Sequence, residues 1–354
     1  MEPRFIPKES LALLLDSLQR SFAVYVPVRK AGRRMYSRYV AGSPQERPGG
    51  EGQMVVSEVR AVEPLKAFFF SARQKVSEGF RDTVPGADQP PLCLVGVKAC
   101  DLRSLPVLDA VFGGPDYRDP LYSQARERAL IIAADCTSTL ESCFCLALGL
   151  PPFPRENFDL NLSEVPGGFL VEEGSEKGRD LLREHSALFL AAPAELAAER
   201  EKVRSRVTEQ VKENLRRLSM PAPEMLEGAI RKAYEAPLWQ EEAQACVECG
   251  ACNTVCPTCH CFLLFDQMRT GQLNRFRLWD SCLLKDFAQV AGGANPRPHL
   301  WMRLRNRFEK KFDFFPQLAG IYACTGCGRC ILACPAKIDI REVLKRNVEY
   351  VQKR

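Results

Sequence analysis

CVECGACNTVCPTCHC, residues 246–261, places six cysteines in sixteen positions. Cys246, Cys249, Cys252 and Cys256, with Pro257 behind them, give the spacing C-x2-C-x2-C-x3-C-P. The same string returns in CTGCGRCILACP as Cys324, Cys327, Cys330, Cys334 and Pro335. Cysteines three apart wrap a tight loop around a small metal–sulfur core. The fourth is expected at the start of a helix, pointing toward a second core, and the proline redirects the chain. Gly250, Gly326 and Gly328 let the backbone come close to the sulfurs. This is the bacterial ferredoxin run for 4Fe–4S clusters. A C-x2-C pair also suits zinc, but two full copies, each with its proline, favour iron–sulfur. By the two-cluster pattern, Cys246, Cys249 and Cys252 share a cluster with Cys334, and Cys324, Cys327 and Cys330 share one with Cys256.

The insertion between the runs is long for a compact ferredoxin. FLLFDQMRTGQ and SCLLKDFAQVAGG read as helices. The approach, WQEEAQACVEC, carries Glu241 and Glu242 in an early turn, and Asp339 is placed to cap the exit helix DIREVLKRNVEYVQKR. Residues 236–354 are therefore expected to form an all-α dicluster domain of the alpha-helical ferredoxin type.

The N-terminal half reads as α/β. PLCLVGVKACD and ALIIAADC are short apolar runs with polar ends, as buried parallel strands have. SLPVLDAVF and DPLYSQARERA supply a helical crossover. Cys100 and Cys136 then fall just past the C-terminal ends of neighbouring strands, where open α/β sheets hold ligands. Cys143 and Cys145 follow in ESCFC, so four thiols can converge on one point. The alternative is that they are small buried residues. Cys93 sits within its strand and reads as structural. The expected division is an α/β domain over 1–193, a helical linker over 194–235 and the dicluster domain over 236–354. In the linker, AELAAEREKVRSRVTEQVKENLRRL reads as a surface helix that only connects, ended by SMPAPE.

The 354 residues suit two or three domains, and 46% hydrophobic content supports a sizeable core. A formal charge of +5 argues for neither nucleic acid nor a membrane surface. No apolar run reaches the length of a membrane span, and the N-terminus reads as an amphipathic helix, not a signal peptide. A cytoplasmic location follows, and there sixteen cysteines are metal ligands or buried thiols before they are disulfides. Residues 241–354 hold 17 Lys and Arg against 11 Asp and Glu. RPHLWMRLRNRFEKK, 297–311, is the strongest basic run. It reads either as a solvated helix face or as cations that raise cluster potentials. Its aromatics are too sparse for a nucleic-acid surface.

GVKACDLRSLPVLDAVF, ADCTSTLESCFC, the Trp239–Cys261 segment, WDSC and AGGANPRP resemble an iron–sulfur protein family. Its members are the beta subunits of cytoplasmic sulfhydrogenases, the iron–sulfur electron-transfer subunit of anaerobic sulfite reductase and the iron–sulfur subunit of flavin-containing NADH-linked modules. The resemblance runs from about residue 5 to the C-terminus. It implies an electron-transfer subunit between a flavin- and NAD(P)-binding partner and a catalytic partner. It also implies a third cluster on Cys100, Cys136, Cys143 and Cys145, because the family carries this pattern at matching positions. Cys259, Cys261 and Cys282 match the family in TCHC and WDSC. They read as inert packing, as a further ligand set with His260 or Cys93, or as the third cluster's ligands in place of the N-terminal set. Inert packing is favoured, since three thiols without a fourth make an incomplete site.

Three histidines are thin provision for acid–base chemistry. PGGEG and AGGAN lack the spacing of a dinucleotide fingerprint, so this chain is expected to bind no flavin or NAD(P) itself. No Cys-Cys pair occurs, unlike in heterodisulfide-cleaving clusters. The expectation is a one-electron relay, not a catalytic subunit, with no nucleic acid and no membrane span. The rivals are the corresponding electron-transfer component of a sulfite reductase, a catalytic disulfide or sulfur reductase using the surplus thiols, and a zinc scaffold.

Overall fold

The computed structural model describes residues 4–43, 52–79, 81–82, 90–269 and 271–354; PGGEG lies outside them apart from Gly52. The N-terminal strands are β1 (Arg4–Pro7), β2 (Ala23–Lys30), β3 (Arg33–Arg38), β4 (Arg73–Glu78), β5 (Arg81–Asp82), β6 (Leu92–Val97), β7 (Leu130–Ala134), β8 (Leu160–Val165), β9 (Gly168–Glu173) and β10 (Leu190–Ala191). Eight of them form one sheet in the order β10-β1-β9-β8-β7-β6-β2-β3. Its centre, β2-β6-β7-β8, is parallel, and antiparallel strands flank it. The α/β reading of this half therefore holds.

The central strands are apolar on both faces because both faces are covered. Cys93 and Val95 of β6 point into a layer closed by α1 (Lys8–Leu18), whose Leu11, Leu14, Leu15 and Leu18 share one helical face. Leu94 and Val97 point the other way, toward Leu105, Leu108 and Phe112. Cys93 is fully buried there, a core residue. Past the strand ends come α2 (Ala99–Leu102), α3 (Ser104–Phe112) and α4 (Pro120–Arg128). Cys100 lies in α2, beyond β6, and Cys136 lies two residues beyond β7.

The long helix α5 (Ala194–Arg217) does more than connect. Val207, Val211 and Asn214 on one face are buried. Arg204 forms ion pairs with Asp135 (2.8 Å) and Glu172 (2.8 Å). Asn214 Nδ2 donates to the carbonyls of Leu140 (2.9 Å) and Cys143 (3.1 Å), which fixes the ESCFC loop.

The remaining elements are α6 (Leu238–Gln244), α7 (Ala251–Thr254), β11 (Phe262–Arg269), β12 (Gln272–Trp279), α8 (Leu300–Glu309), α9 (Arg329–Ala333) and α10 (Ile340–Gln352). Asp339 caps α10 as expected, accepting from Arg341 N (2.9 Å). The region is not all helical. FLLFDQMRTGQ forms β11, half of a hairpin whose second strand pairs with β4 of the N-terminal half. β11 pairs with β12, its neighbour in sequence; what is distant is β4, which anchors the hairpin in a sheet and which local propensity does not register. Phe265 stacks on Phe276 across the hairpin (5.6 Å). SCLLKDFAQVAGG forms turns. Carbonyls that a helix would use internally go to side chains: Leu283 O to Arg303 Nε (2.9 Å) and Lys285 O to Asn295 Nδ2 (2.9 Å). The fourth cysteine of each run follows a short helix and does not start one: Cys256 comes after α7, and Cys334 caps the C-terminal end of α9. Trp239, Phe308, Phe312, Val343 and Leu344 form the core of this half. Among the described residues no helix is long and apolar enough to cross a membrane.

Candidate metal centres

The structure gathers the cysteines into distinct sets. Cys246, Cys249, Cys252 and Cys334 line one cavity together with Cys330, walled by Leu283, Leu304, Phe308 and Ile340. Ile338 N donates to Cys334 Sγ (3.4 Å), an N–H···S bond. Burial pushes the Cys246 and Cys252 thiols up, and the Cys334 thiol adds to the rise at both.

A second set is Cys324, Cys327, Cys330 and Cys256. Burial pushes Cys324 up to about 12 and Cys330 up to about 11, and both face Cys256. Cys256 is held low by a hydrogen bond from Cys259, with Lys311 helping. Lys311 Nζ donates to Cys256 Sγ (3.3 Å), Thr258 Oγ1 (3.0 Å) and Ala323 O (3.0 Å). It is carried by a π-helical turn, Lys310–Phe314, which turns a lysine into the interior.

The third set is Cys100, Cys136, Cys143 and Cys145, which line one cavity together with Arg60 and Cys327. Leu140 N donates to Cys143 Sγ (3.4 Å). Burial pushes Cys136 up to about 12, against the pull of Lys98, and raises Cys100, Cys143 and Cys145. The four thiols thus do meet at the strand ends.

The sets form a line. Cys252 is close enough to Cys330 to raise its pKa. Cys327 does the same to Cys100 and Cys143. The second cysteine run lies directly on the ESCFC loop. A Cβ on Gly326 (φ +64°) would fall 2.5 Å from Cys145 Cα, and one on Gly328 (φ +69°) 2.1 Å from Ser142 O. Only glycine permits both the backbone angle and the approach.

The basic run is buried. Arg303, Arg305, Arg307 and Lys311 are at most 7% exposed. Arg303 pairs with Glu248 (2.7 Å). Six other buried cations, Arg60, Lys66, Lys98, Arg305, Arg307 and Lys311, make no ion pair with a carboxylate among the described residues. Lys66 Nζ instead reaches Cys259 O (2.9 Å), Asn253 O (3.2 Å) and the Trp279 ring (4.2 Å). Lys98 Nζ reaches Val56 O (2.6 Å) and Asp135 O (3.1 Å). Arg60 Nη2 and Arg307 Nη2 are buried with no hydrogen-bond partner, at the third and first cavities respectively. A buried cation without a counter-charge is costly. Anionic thiolate-bound clusters would supply that counter-charge and keep the raised thiols ionised. The donor set, all cysteine, and the orphaned guanidinium groups fit 4Fe–4S clusters. Arg307 and Lys311 belonged to a visible basic run, and Lys98 is the lysine of GVKACD. Arg60, Lys66, Asn214 and Asn253 gave no sequence signal.

Cys261 and Cys282 sit at the base of the β11–β12 hairpin, and Cys259 adjoins Cys256 of the second set, its N donating to Cys256 O (3.4 Å). His260 is half-buried, and desolvation pushes it down to about 4, with Nδ1 on Thr258 O (3.0 Å).

A family model for a 4Fe-4S dicluster domain matches residues 245–338. Sulfhydrogenase 2 subunit beta of Pyrococcus furiosus is 33% identical over 295 residues, 82% of this chain and 85% of that protein. Pyruvate-flavodoxin oxidoreductase of Trichormus variabilis is 30% identical over 105 residues, 30% of this chain and 7% of that protein. The second likeness is confined to a segment, whereas the first takes in most of this chain and most of that protein. With its paired cysteine runs, buried thiols and unbalanced interior cations, this chain belongs to the iron–sulfur electron-transfer subunit family of the sulfhydrogenase beta subunits.

Proposed function

We propose that the chain relays single electrons through three 4Fe–4S clusters, in a cytoplasmic anaerobic complex. One partner binds flavin and NAD(P); the other is a catalytic subunit of hydrogenase or of sulfur, sulfite or heterodisulfide reductase type. Cluster 1 takes Cys246, Cys249, Cys252 and Cys334. Cluster 2 takes Cys324, Cys327, Cys330 and Cys256. Cluster 3 takes Cys100, Cys136, Cys143 and Cys145. Residues 236–354 hold the first two and residues 1–193 the third, and the chain itself binds neither flavin nor NAD(P). When bound, each cluster supplies a reversible one-electron couple. The chain's residues fix the thiolates, exclude water and set the local field. The observation that carries this reading is the meeting of buried thiols with buried cations that no carboxylate balances.

Iron, acid-labile sulfide and zinc per chain, after anaerobic purification, test it. About twelve irons are expected, four for each cluster. Cys143→Ser should lower the count toward about eight. Zinc in place of iron would end the reading. About eight irons in the unaltered chain would remove the third cluster.

Lys311 should set the potential of cluster 2. Its hydrogen bond to Cys256 Sγ favours the more negative, reduced state. Lys311→Met is expected to lower one midpoint by about 60 mV, which for one electron corresponds to about 1.4 kcal/mol. Lys310→Met, one residue earlier and half-buried, should shift it much less. Redox titration followed by electron paramagnetic resonance reads both. An unchanged midpoint in Lys311→Met would refute the role.

A further inference from the structure

Cluster ligation accounts for twelve cysteines, and Cys93 is a core residue. The three that remain share one place in the fold. Cys261 immediately precedes β11, and Cys282 lies three residues past the end of β12. The backbone closes there: Asp280 N donates to Cys261 O (2.9 Å), continuing the ladder from Phe262 opposite Trp279. The thiols of Cys261 and Cys282 face each other, near enough that each shifts the other's titration. Asn253 stands behind them. Its Nδ2 donates to Cys282 Sγ (3.4 Å), and its Oδ1 accepts from the Cys259 thiol (3.5 Å). Cys282 is buried, whereas Cys261 is half-buried and open to approach.

His260 does not complete a metal set. Its ring lies against Phe112 and Phe315. Among the described residues, no three His, Cys, Asp or Glu side chains gather tightly enough to hold a single ion. Two thiols in contact, joined across the base of a hairpin, have another use.

We propose that Cys261 and Cys282 form a dithiol–disulfide couple, a two-electron site beside the one-electron relay. The substrate class that would oxidise it is a small organic disulfide. The half-buried Cys261 attacks one sulfur of that disulfide and releases the first small thiol. Cys282 then attacks Cys261 Sγ, closes the Cys261–Cys282 bond and releases the second. Two S–H bonds of the protein are lost, one S–S bond is made and one broken, and both protons leave on the two small thiols. Reopening the bridge takes two electrons and two protons; the electrons come from the relay, so this half of the cycle rests on the proposed function.

The surroundings favour the closing step. In the resting pair the hydrogen bond from Cys261 pushes the Cys282 thiol down to about 6, against the opposing effect of burial; once Cys261 is capped that bond is gone, and Lys310 and Arg307 are what continue to favour the Cys282 thiolate. Those cations help Cys282 give up its proton as it attacks, and the thiolate is the nucleophile in disulfide exchange. The hairpin base keeps the two residues near each other, with Asp280, two residues before Cys282, hydrogen-bonded to the Cys261 carbonyl.

The test uses the full chain with its iron in place. The protein is incubated anaerobically with oxidised glutathione, quenched with an alkylating agent and digested without reduction. Mass spectrometry should show a peptide joining Cys261 to Cys282 and a loss of two alkylatable thiols per chain, with iron content unchanged. Cys282→Ser should abolish that peptide and leave glutathione attached to Cys261. Complete alkylation of both cysteines in the unaltered chain, with iron unchanged, overturns the inference and leaves the relay reading intact. A bridge that forms only as iron is lost overturns it as well. Chains that carry no iron but do form the bridge retain the dithiol couple while overturning the relay.

Discussion

Gly328→Ala should cost about 3–5 kcal/mol and remove about four irons per chain. The new Cβ would meet Ser142 O at 2.1 Å and Ser142 C at 2.6 Å. The first neighbours it meets are backbone atoms, which no rotamer change can move aside. Alanine at φ +69° also pays for the left-handed conformation. Either the ESCFC loop or the second cysteine run must withdraw, and the cavity of Cys100, Cys136, Cys143 and Cys145 loses a wall. Gly320→Ala is the control. It has a similar φ of +68° but nothing within 4 Å, so it should cost about 1–2 kcal/mol and keep its iron. Anaerobic urea unfolding and iron per chain measure both variants. If Gly328→Ala behaves like the control, the two halves do not depend on this contact.

The parts of this molecule that were legible in the sequence are those governed by local rules. The ferredoxin runs have fixed spacing, and the apolar stretches around Cys93 and Ile131 can only be buried strands. Placing Cys100 and Cys136 past strand ends followed from that, and so did their meeting with Cys143 and Cys145. The hairpin was not legible, because Phe262–Arg269 becomes a strand only through pairing with β12, which in turn pairs with β4 far away in the chain. The inward turn of Arg303, Arg305, Arg307 and Lys311 was not legible either. A basic run reads as solvated unless something anionic lies inside, and here the cysteines are that something.

The long helix α5 shows the same limit on a smaller scale. Its composition is that of a solvated connector, and most of its surface is one. Nothing in the sequence marks Asn214 as the residue that holds the Leu140 and Cys143 carbonyls. Its value comes from a loop some 70 residues earlier in the chain.

Arg329→Met should be the most damaging single charge change, with an expected loss of about 3–5 kcal/mol. Arg329 follows Gly328, so its position depends on the same close approach. Its Nη2 pairs with Asp101 Oδ2 (2.8 Å), and both side chains are at most 3% exposed. Nε reaches Ala61 O and Val62 O (both 3.1 Å), and Nη2 also reaches Glu63 O (3.1 Å). One guanidinium thus ties the second cysteine run to the 61–63 segment and to the residue beside Cys100. Burial alone would lower its pKa, but Asp101 and the Cys327 thiol hold it above the ordinary arginine value. Methionine fills similar space and leaves Asp101 as a buried carboxylate without a cation, and that is where most of the loss originates. Adding Asp101→Asn should therefore recover more than half of it. Anaerobic urea unfolding of the single and double variants forms the comparison. If the double variant is no more stable than Arg329→Met, the three backbone carbonyls, not the ion pair, are what Arg329 serves.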